Sequence, residues 1–327
     1  MSNKLIFSVF TILLLISITL IGCSNNSESQ AKENEVKTKD NIVIGITQNN
    51  VGVDSYQTTY DKAFREYATE QGVQTSVLDA GGDVARQISQ IEDFIQQNVD
   101  VIIIWPTNGK AVVPAVRNAQ RAGIPVLITN SKIDESGYEF IAAFSGPDNV
   151  TQGRNAAEMM IEALGGTGKI VEITGLPGYT TAVERSEGFH EVIEAHGGIE
   201  IIESQPGDWN RERAQRVMEN FLTKYPDIDG IYAADDNMGV GALNSIRERG
   251  LQGKIKITGA TLFGDGYDAI KQGLYYGSVY QSPVDDAKNA LDTAIDIALG
   301  KDVEFFNFFE TPKVTEENID DFEKPVF

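Results

Sequence analysis

Val99-Asp100-Val101-Ile102-Ile103-Ile104 and Ile228-Asp229-Gly230-Ile231-Tyr232-Ala233 decide the fold of this chain. In each, a short apolar run follows an aspartate. Successive side chains on a strand point to opposite faces, so a run without alternation belongs to a strand covered on both sides, as in a parallel sheet. Each passage is preceded by a helical pattern and followed by a polar turn and another helix. Ahead of the first, Asp83 to Gln97 places Ile88, Ile91, Phe94 and Ile95 on one face at helical spacing.

Outward from these passages the same alternation continues. Strands are predicted over 42–47, 74–78, 101–104 and 125–128, with helices over 56–71, 83–97 and 114–122 between them. The pattern restarts with a helix over 151–164, closed by Gly165-Gly166. It runs on through strands 169–173, 199–203, 230–233, 254–258 and 276–280, separated by helices 182–196, 210–224, 237–249 and 265–272, and ends on a helix over 286–299. Strands alternating with helices require right-handed crossovers and parallel sheets, hence a doubly wound α/β fold. The units are too many for one sheet, and the two echoing passages predict two similar lobes. In open α/β sheets ligands sit beyond the carboxyl ends of the strands, which for two lobes means the cleft between them.

The start of the chain reads differently. Lys4 precedes an almost unbroken apolar run from Leu5 to Ile21, slightly short of the ~20 residues that span a bilayer, so it reads as a secretory signal over 1–22. Residues 24–40 contain almost nothing apolar and predict a flexible tether, unable to bury enough surface to offset its ordering entropy. Cys23 is the only cysteine, which excludes an intramolecular disulfide and a cysteine-based zinc cluster. A formal net charge of −21 argues against nucleic acid and against electrostatic attachment to a membrane.

Signs of catalysis are few. Both histidines, His190 and His196, lie on one predicted helix with no triad setting, and are read as solvated. No nucleophile elbow, phosphate-binding loop or metal-binding histidine pair occurs, and no cofactor or metal is expected. Asp235-Asp236 is a carboxylate pair, but neighbours at a strand end diverge, so one of them is expected to point away from the cleft. The strand ends carry polar and aromatic groups instead. The first loop has Asn50, Asp54 and Tyr56; Trp105 and Asn130 follow later strands; then come Arg185, Trp209, Asp235, Thr261 and Gln281. Planar rings to cover apolar ring faces, with amide, carboxylate and guanidinium groups to pair hydroxyls, suit a small polyhydroxy ligand.

Five segments, in order, carry a resemblance: Asp100 to Asn108; Arg121-Ala122-Gly123-Ile124-Pro125-Val126; Glu184-Arg185-Ser186-Glu187-Gly188-Phe189; Ser204-Gln205-Pro206-Gly207-Asp208-Trp209; and Ala234-Asp235-Asp236-Asn237-Met238 through Ala242. From residue 41 to about 315 the chain resembles the periplasmic sugar-binding proteins of ribose, galactose and galactofuranose type, the type I solute-binding fold of ABC importers. Leu20-Ile21-Gly22-Cys23 likewise looks like a bacterial lipobox, which implies an acylated Cys23 and an extracytoplasmic protein anchored to the cell membrane through its lipid.

The resemblance implies two doubly wound lobes joined by three crossovers, with an N-lobe of 41–146 plus 282–309 and a C-lobe of 147–281 plus 310–327. It matches Arg185 to the family's ligand-binding arginine, Trp209 to a stacking aromatic, and Gln281 to the polar residue before the last crossover. It also implies a non-enzymatic monomer that traps a sugar, polyol or nucleoside and delivers it to ABC permease subunits. A sensory receptor of the same fold is the second expectation, and a secreted carbohydrate-active enzyme the third. The chain departs from the family at Asn130-Ser131, Asp235, Thr261 and Trp105, so the ligand is not inherited from ribose binders. Replacing Arg185 or Trp209 by Ala is expected to abolish ligand binding and leave the unliganded fold intact.

Overall fold

The computed structural model describes residues 37–327. Cys23, the signal at 1–22 and most of the tether lie outside the described residues. Among the described residues no helix is long and apolar enough to cross a membrane.

Two six-stranded sheets organise the molecule. The first holds β1 (Val43–Gln48), β2 (Gln74–Asp79), β3 (Val101–Ile104), β4 (Val126–Thr129), β5 (Ala143–Pro147) and β11 (Phe306–Phe309), in the order β11-β5-β4-β3-β1-β2. Every pairing within it is parallel. The second holds β6 (Gly168–Thr174), β7 (Ile199–Pro206), β8 (Gly230–Ala233), β9 (Lys256–Thr258), β10 (Gly277–Val279) and β12 (Lys313–Thr315), in the order β12-β10-β9-β8-β6-β7. Here only the edge strand β12 runs antiparallel. The chain therefore passes between sheets three times: after β5, after β10, and between β11 and β12.

Nine α-helices cover the sheets among the described residues: α1 (Ser55–Gln71), α2 (Val84–Gln97), α3 (Val113–Arg121), α4 (Asn149–Leu164), α5 (Thr180–His196), α6 (Arg211–Lys224), α7 (Asp236–Glu248), α8 (Gly264–Lys271) and α9 (Pro283–Ala298). The two deciding passages form β3 and β8, and all four residues of each strand are buried. Ile91 and Phe94 of α2 are fully buried against that layer, whereas Ile88 and Ile95 pack at its margin. On the other face of the first sheet, Tyr60 and Phe64 of α1 and Leu291 of α9 pack against Ile44, Ile46 and Ile103.

Helix starts are set by side-chain caps that face the strand ends. Asp54 accepts the Gln57 N–H at the start of α1, Asp235 accepts the Met238 N–H at the start of α7, and Asp148 and Ser282 cap the two helices that follow crossovers. Ser282 also precedes Pro283, a residue that suits the first helical position.

The sequence pattern misses β5, β11 and β12. Ala143-Phe144-Ser145-Gly146-Pro147 ends in Gly-Pro, which reads as a turn, and Phe306-Asn307-Phe308-Phe309 lacks β-branched residues. β5 becomes a strand by pairing between β4 and β11, and β11 by adding to β5 as the edge of the sheet.

Candidate functional site

A cavity of about 400 Å³, counting its mouth, lies between the carboxyl ends of the two sets of strands. Asp54, Tyr56, Gln57, Trp105 and Asn130 line it from the first lobe. Tyr179, Thr181, Arg185, Trp209, Asp235, Thr261, Phe263 and Gln281 line it from the second. Nine of the ten residues expected from the sequence are thus brought to one cavity.

Asn50 is the exception. Asn49 turns inward and donates through Nδ2 to the Tyr179 hydroxyl at 2.9 Å. Alternation along the chain then directs Asn50 the other way, and its amide lies beside Gly82. Gln57, Tyr179, Thr181 and Phe263 were not anticipated. A signal existed for three of them: Gln57 is next to Tyr56 in the first turn of α1, and Tyr179 and Thr181 sit in the loop that delivers Arg185. Phe263 has no such mark.

A chain of buried hydrogen bonds crosses the cavity floor. Arg185, 3% exposed, donates from Nε to Asn149 Oδ1 (3.1 Å), from Nη1 to the Ala234 carbonyl (2.7 Å) and from Nη2 to Gln281 Oε1 (2.9 Å). Gln281 Nε2 donates to the Tyr56 hydroxyl at 2.6 Å, and that hydroxyl donates to Asp286 Oδ2 at 2.9 Å. Asn130 Nδ2 donates to the same carboxylate oxygen at 2.6 Å. Arg185 and Gln281 belong to one lobe, whereas Tyr56, Asn130 and Asp286 belong to the other. Asp286 carries no sequence signal, because it lies within α9 behind the lining residues.

A second junction closes on Tyr179. Its hydroxyl accepts from both Asn49 Nδ2 and the Trp105 indole N–H. Trp105 therefore presents ring surface to the cavity, with its N–H already engaged. Nearby, Lys132 Nζ pairs with Glu184 at 3.1 Å across the lobes, both side chains being largely buried.

Three lining residues, Asn130 (φ 60°), Trp209 (φ 60°) and Thr261 (φ 58°), hold left-handed backbone conformations. Asparagine tolerates this region; a β-branched threonine does so only where surrounding structure dictates it. Such strain clusters where side chains must be aimed. Trp209 is further fixed by Gly175, where a Cβ would sit 2.0 Å from the indole.

Burial dominates the electrostatics. It pushes the Asp235 carboxyl up to about 7, against the Met238 N–H bond, with Asp54 raising it further and Arg185 lowering it. Asp286 is also pushed up to about 7 by burial, despite the Asn130 and Tyr56 bonds. Asp54 is raised by burial, opposed by its backbone N–H bonds. Gln57 Oε1 and Thr181 Oγ1 are buried without a hydrogen-bond partner.

Asp236, the neighbour of Asp235 and the first residue of α7, turns away from the cavity. It is fully buried and accepts from the Tyr275 and Ser278 hydroxyls at 3.0 and 2.8 Å. The histidines lie elsewhere. His196 is exposed and contacts the Gly166 carbonyl, but His190 is not simply solvated: its Nε2 lies 3.0 Å from the buried Glu172 carboxylate, which raises the imidazole pKa.

Two α/β lobes with a polar, aromatic-walled cavity at the strand ends define a solute-binding protein rather than an enzyme. Residues 44–302 match the periplasmic binding protein domain. The chain belongs to that family, in its type I, sugar-binding branch. It is 31% identical over 297 residues to a ribose import binding protein of Bacillus subtilis, covering 91% of this chain and 95% of that protein. It is 30% identical to a xylitol-binding protein of Mycolicibacterium smegmatis, covering 85% and 78% respectively. Among solved structures, an ABC transporter solute-binding protein of Bacillus halodurans with bound myo-inositol superposes with a TM-score of 0.81 at 28% identity, covering 87% of this chain and 98% of that one.

Proposed function

We propose that this chain is the substrate-binding lipoprotein of an ABC importer and that it traps a sugar or sugar-like polyol in the inter-lobe cavity. One observation carries the reading: aromatic faces and hydrogen-bonding groups from both lobes converge on a single cavity, with Gln57 Oε1 and Thr181 Oγ1 buried there without partners. Buried polar atoms are costly unless paired, and ligand hydroxyls supply such partners. The relatives named for ribose and xylitol and the neighbour holding myo-inositol support the ligand class. Lobe limits of 41–146 plus 282–309 and 147–281 plus 310–327 accompany this reading, as does a monomeric state.

Anchoring through acylated Cys23 is part of the proposal and rests on the sequence alone. A Cys23→Ser variant is expected to leave the membrane fraction and to lose incorporation of labelled fatty acid. For the ligand, a thermal-shift screen of sugars, polyols and nucleosides is decisive. At 100 times its dissociation constant a ligand adds about 2.7 kcal/mol of stability. No shift with any member of the screen would overturn the assignment of the cavity.

A further inference from the structure

The ionisable groups lining the cavity are unbalanced. Two carboxyls, Asp54 from one lobe and Asp235 from the other, face it with one guanidinium, Arg185. All three guanidinium nitrogens of Arg185 already donate to protein acceptors. Among the described residues neither Asp54 nor Asp235 is in an ion pair, and Arg211, the next cation, is paired with Asp265. Asp235 engages one oxygen with the cap of α7. A third carboxyl, Asp286, lies directly behind Tyr56. Gln57 Oε1, a side chain 6% exposed, is one more acceptor with no donor.

A neutral polyol can donate hydroxyl protons to these acceptors, but it brings no positive charge to a low-dielectric cleft in which carboxyls outnumber the one guanidinium. A protonated amine brings one positive charge and three donors on one atom. The rings of Tyr56 and Trp105 from one lobe and of Trp209 and Phe263 from the other also favour a cation.

Resting on the reading of this cavity as the ligand site, we propose that its ligand is an amino sugar or amino polyol, with the ammonium held between Asp54 and Asp235.

Matched probes test this with the purified full-length protein by titration calorimetry: D-glucosamine against D-glucose, D-glucamine against D-glucitol, and scyllo-inosamine against scyllo-inositol, with N-acetyl-D-glucosamine as a neutral control. The expected result is that in at least one pair the amine binds tenfold or more tighter than its hydroxyl partner. Asp54→Asn and Asp235→Asn are each expected to erase that advantage. Asparagine is as good a helix cap as aspartate, so both variants retain their helix starts while losing the charge. Hydroxyl partners that bind as tightly in every pair would overturn the amine assignment and leave the polyol reading standing, and an amine advantage that survives both substitutions would overturn the placement of the ammonium between Asp54 and Asp235. Failure of these probes and of every polyol in the thermal screen would overturn both.

Discussion

Arg185 was expected to be a removable ligand contact, and its surroundings argue otherwise. Its three acceptors, Asn149 Oδ1, the Ala234 carbonyl and Gln281 Oε1, are buried with it. Truncation leaves these neutral acceptors short of donors, and a buried acceptor left unsatisfied costs about 1–3 kcal/mol. Arg185→Ala is therefore expected to lower the unliganded midpoint in urea as well as abolish binding. Trp209→Ala is the cleaner test, since it removes a ring and no buried donor network. Asp235 has the opposite balance. Its pKa is raised from 3.8 to about 7 by burial, so the folded protein holds a proton that the unfolded chain releases. The stability this carries is complete below about pH 4 and is lost as pH rises through about 7, by at most roughly 4 kcal/mol. Asp235→Asn keeps the cap without the titration. Its melting temperature is expected to exceed that of the native protein by a margin that grows between pH 5 and 8. A constant margin would show that Asp235 is not the titrating group.

At the scale of elements, α4 and α5 meet through two glycines. A Cβ at Gly153 would lie 2.1 Å from the Arg185 carbonyl, and one at Gly188 would lie 2.0 Å from the Val150 carbonyl. Both obstacles are backbone, so the helices themselves must separate. Overpacking of this kind costs typically 1–3 kcal/mol. Gly188→Ala is expected to lower stability by about that amount in urea unfolding, and to weaken ligand binding because α5 carries Arg185. Gly175 acts on a side chain instead: Gly175→Ala displaces the Trp209 indole, and is expected to reduce binding and shift tryptophan fluorescence while leaving the folded state nearly as stable. An unchanged fluorescence maximum would contradict the close indole contact.

The whole molecule depends on what bridges its lobes. Asn49 and Trp105 of one lobe donate to the Tyr179 hydroxyl of the other, and Lys132 pairs with Glu184 beside them. Neither bridge requires a ligand atom, so both favour the closed arrangement of a hinged protein before a ligand enters. In Tyr179→Phe two buried donors lose their acceptor at a cost of about 1–3 kcal/mol in the closed form. The unliganded variant is expected to scatter X-rays with a larger radius of gyration, and its ligand affinity to fall by roughly 5- to 150-fold. An unchanged radius with unchanged affinity would show that Tyr179 does not hold the lobes together.

What the sequence determined by itself follows from local rules. Continuous apolar runs made β3 and β8 recognisable because a strand buried on both faces has no polar alternation, and the polar and aromatic residues after such runs marked the strand ends. Because ligands in such sheets sit beyond the strand ends, those same positions led to nine of the cavity residues. Only the tertiary structure decided the rest. Strand β5 exists through pairing with β4 and β11, and β11 through pairing with β5 across the chain, which no short window reveals. The exclusion of Asn50 and the inward turn of Asn49 depend on which side of one residue the chain reverses. Asp286 sits inside a helix and reaches the site only because α9 crosses behind Tyr56. The state of Arg185, a cation whose three nitrogens already donate to its own protein, is a property of three partners distant in sequence.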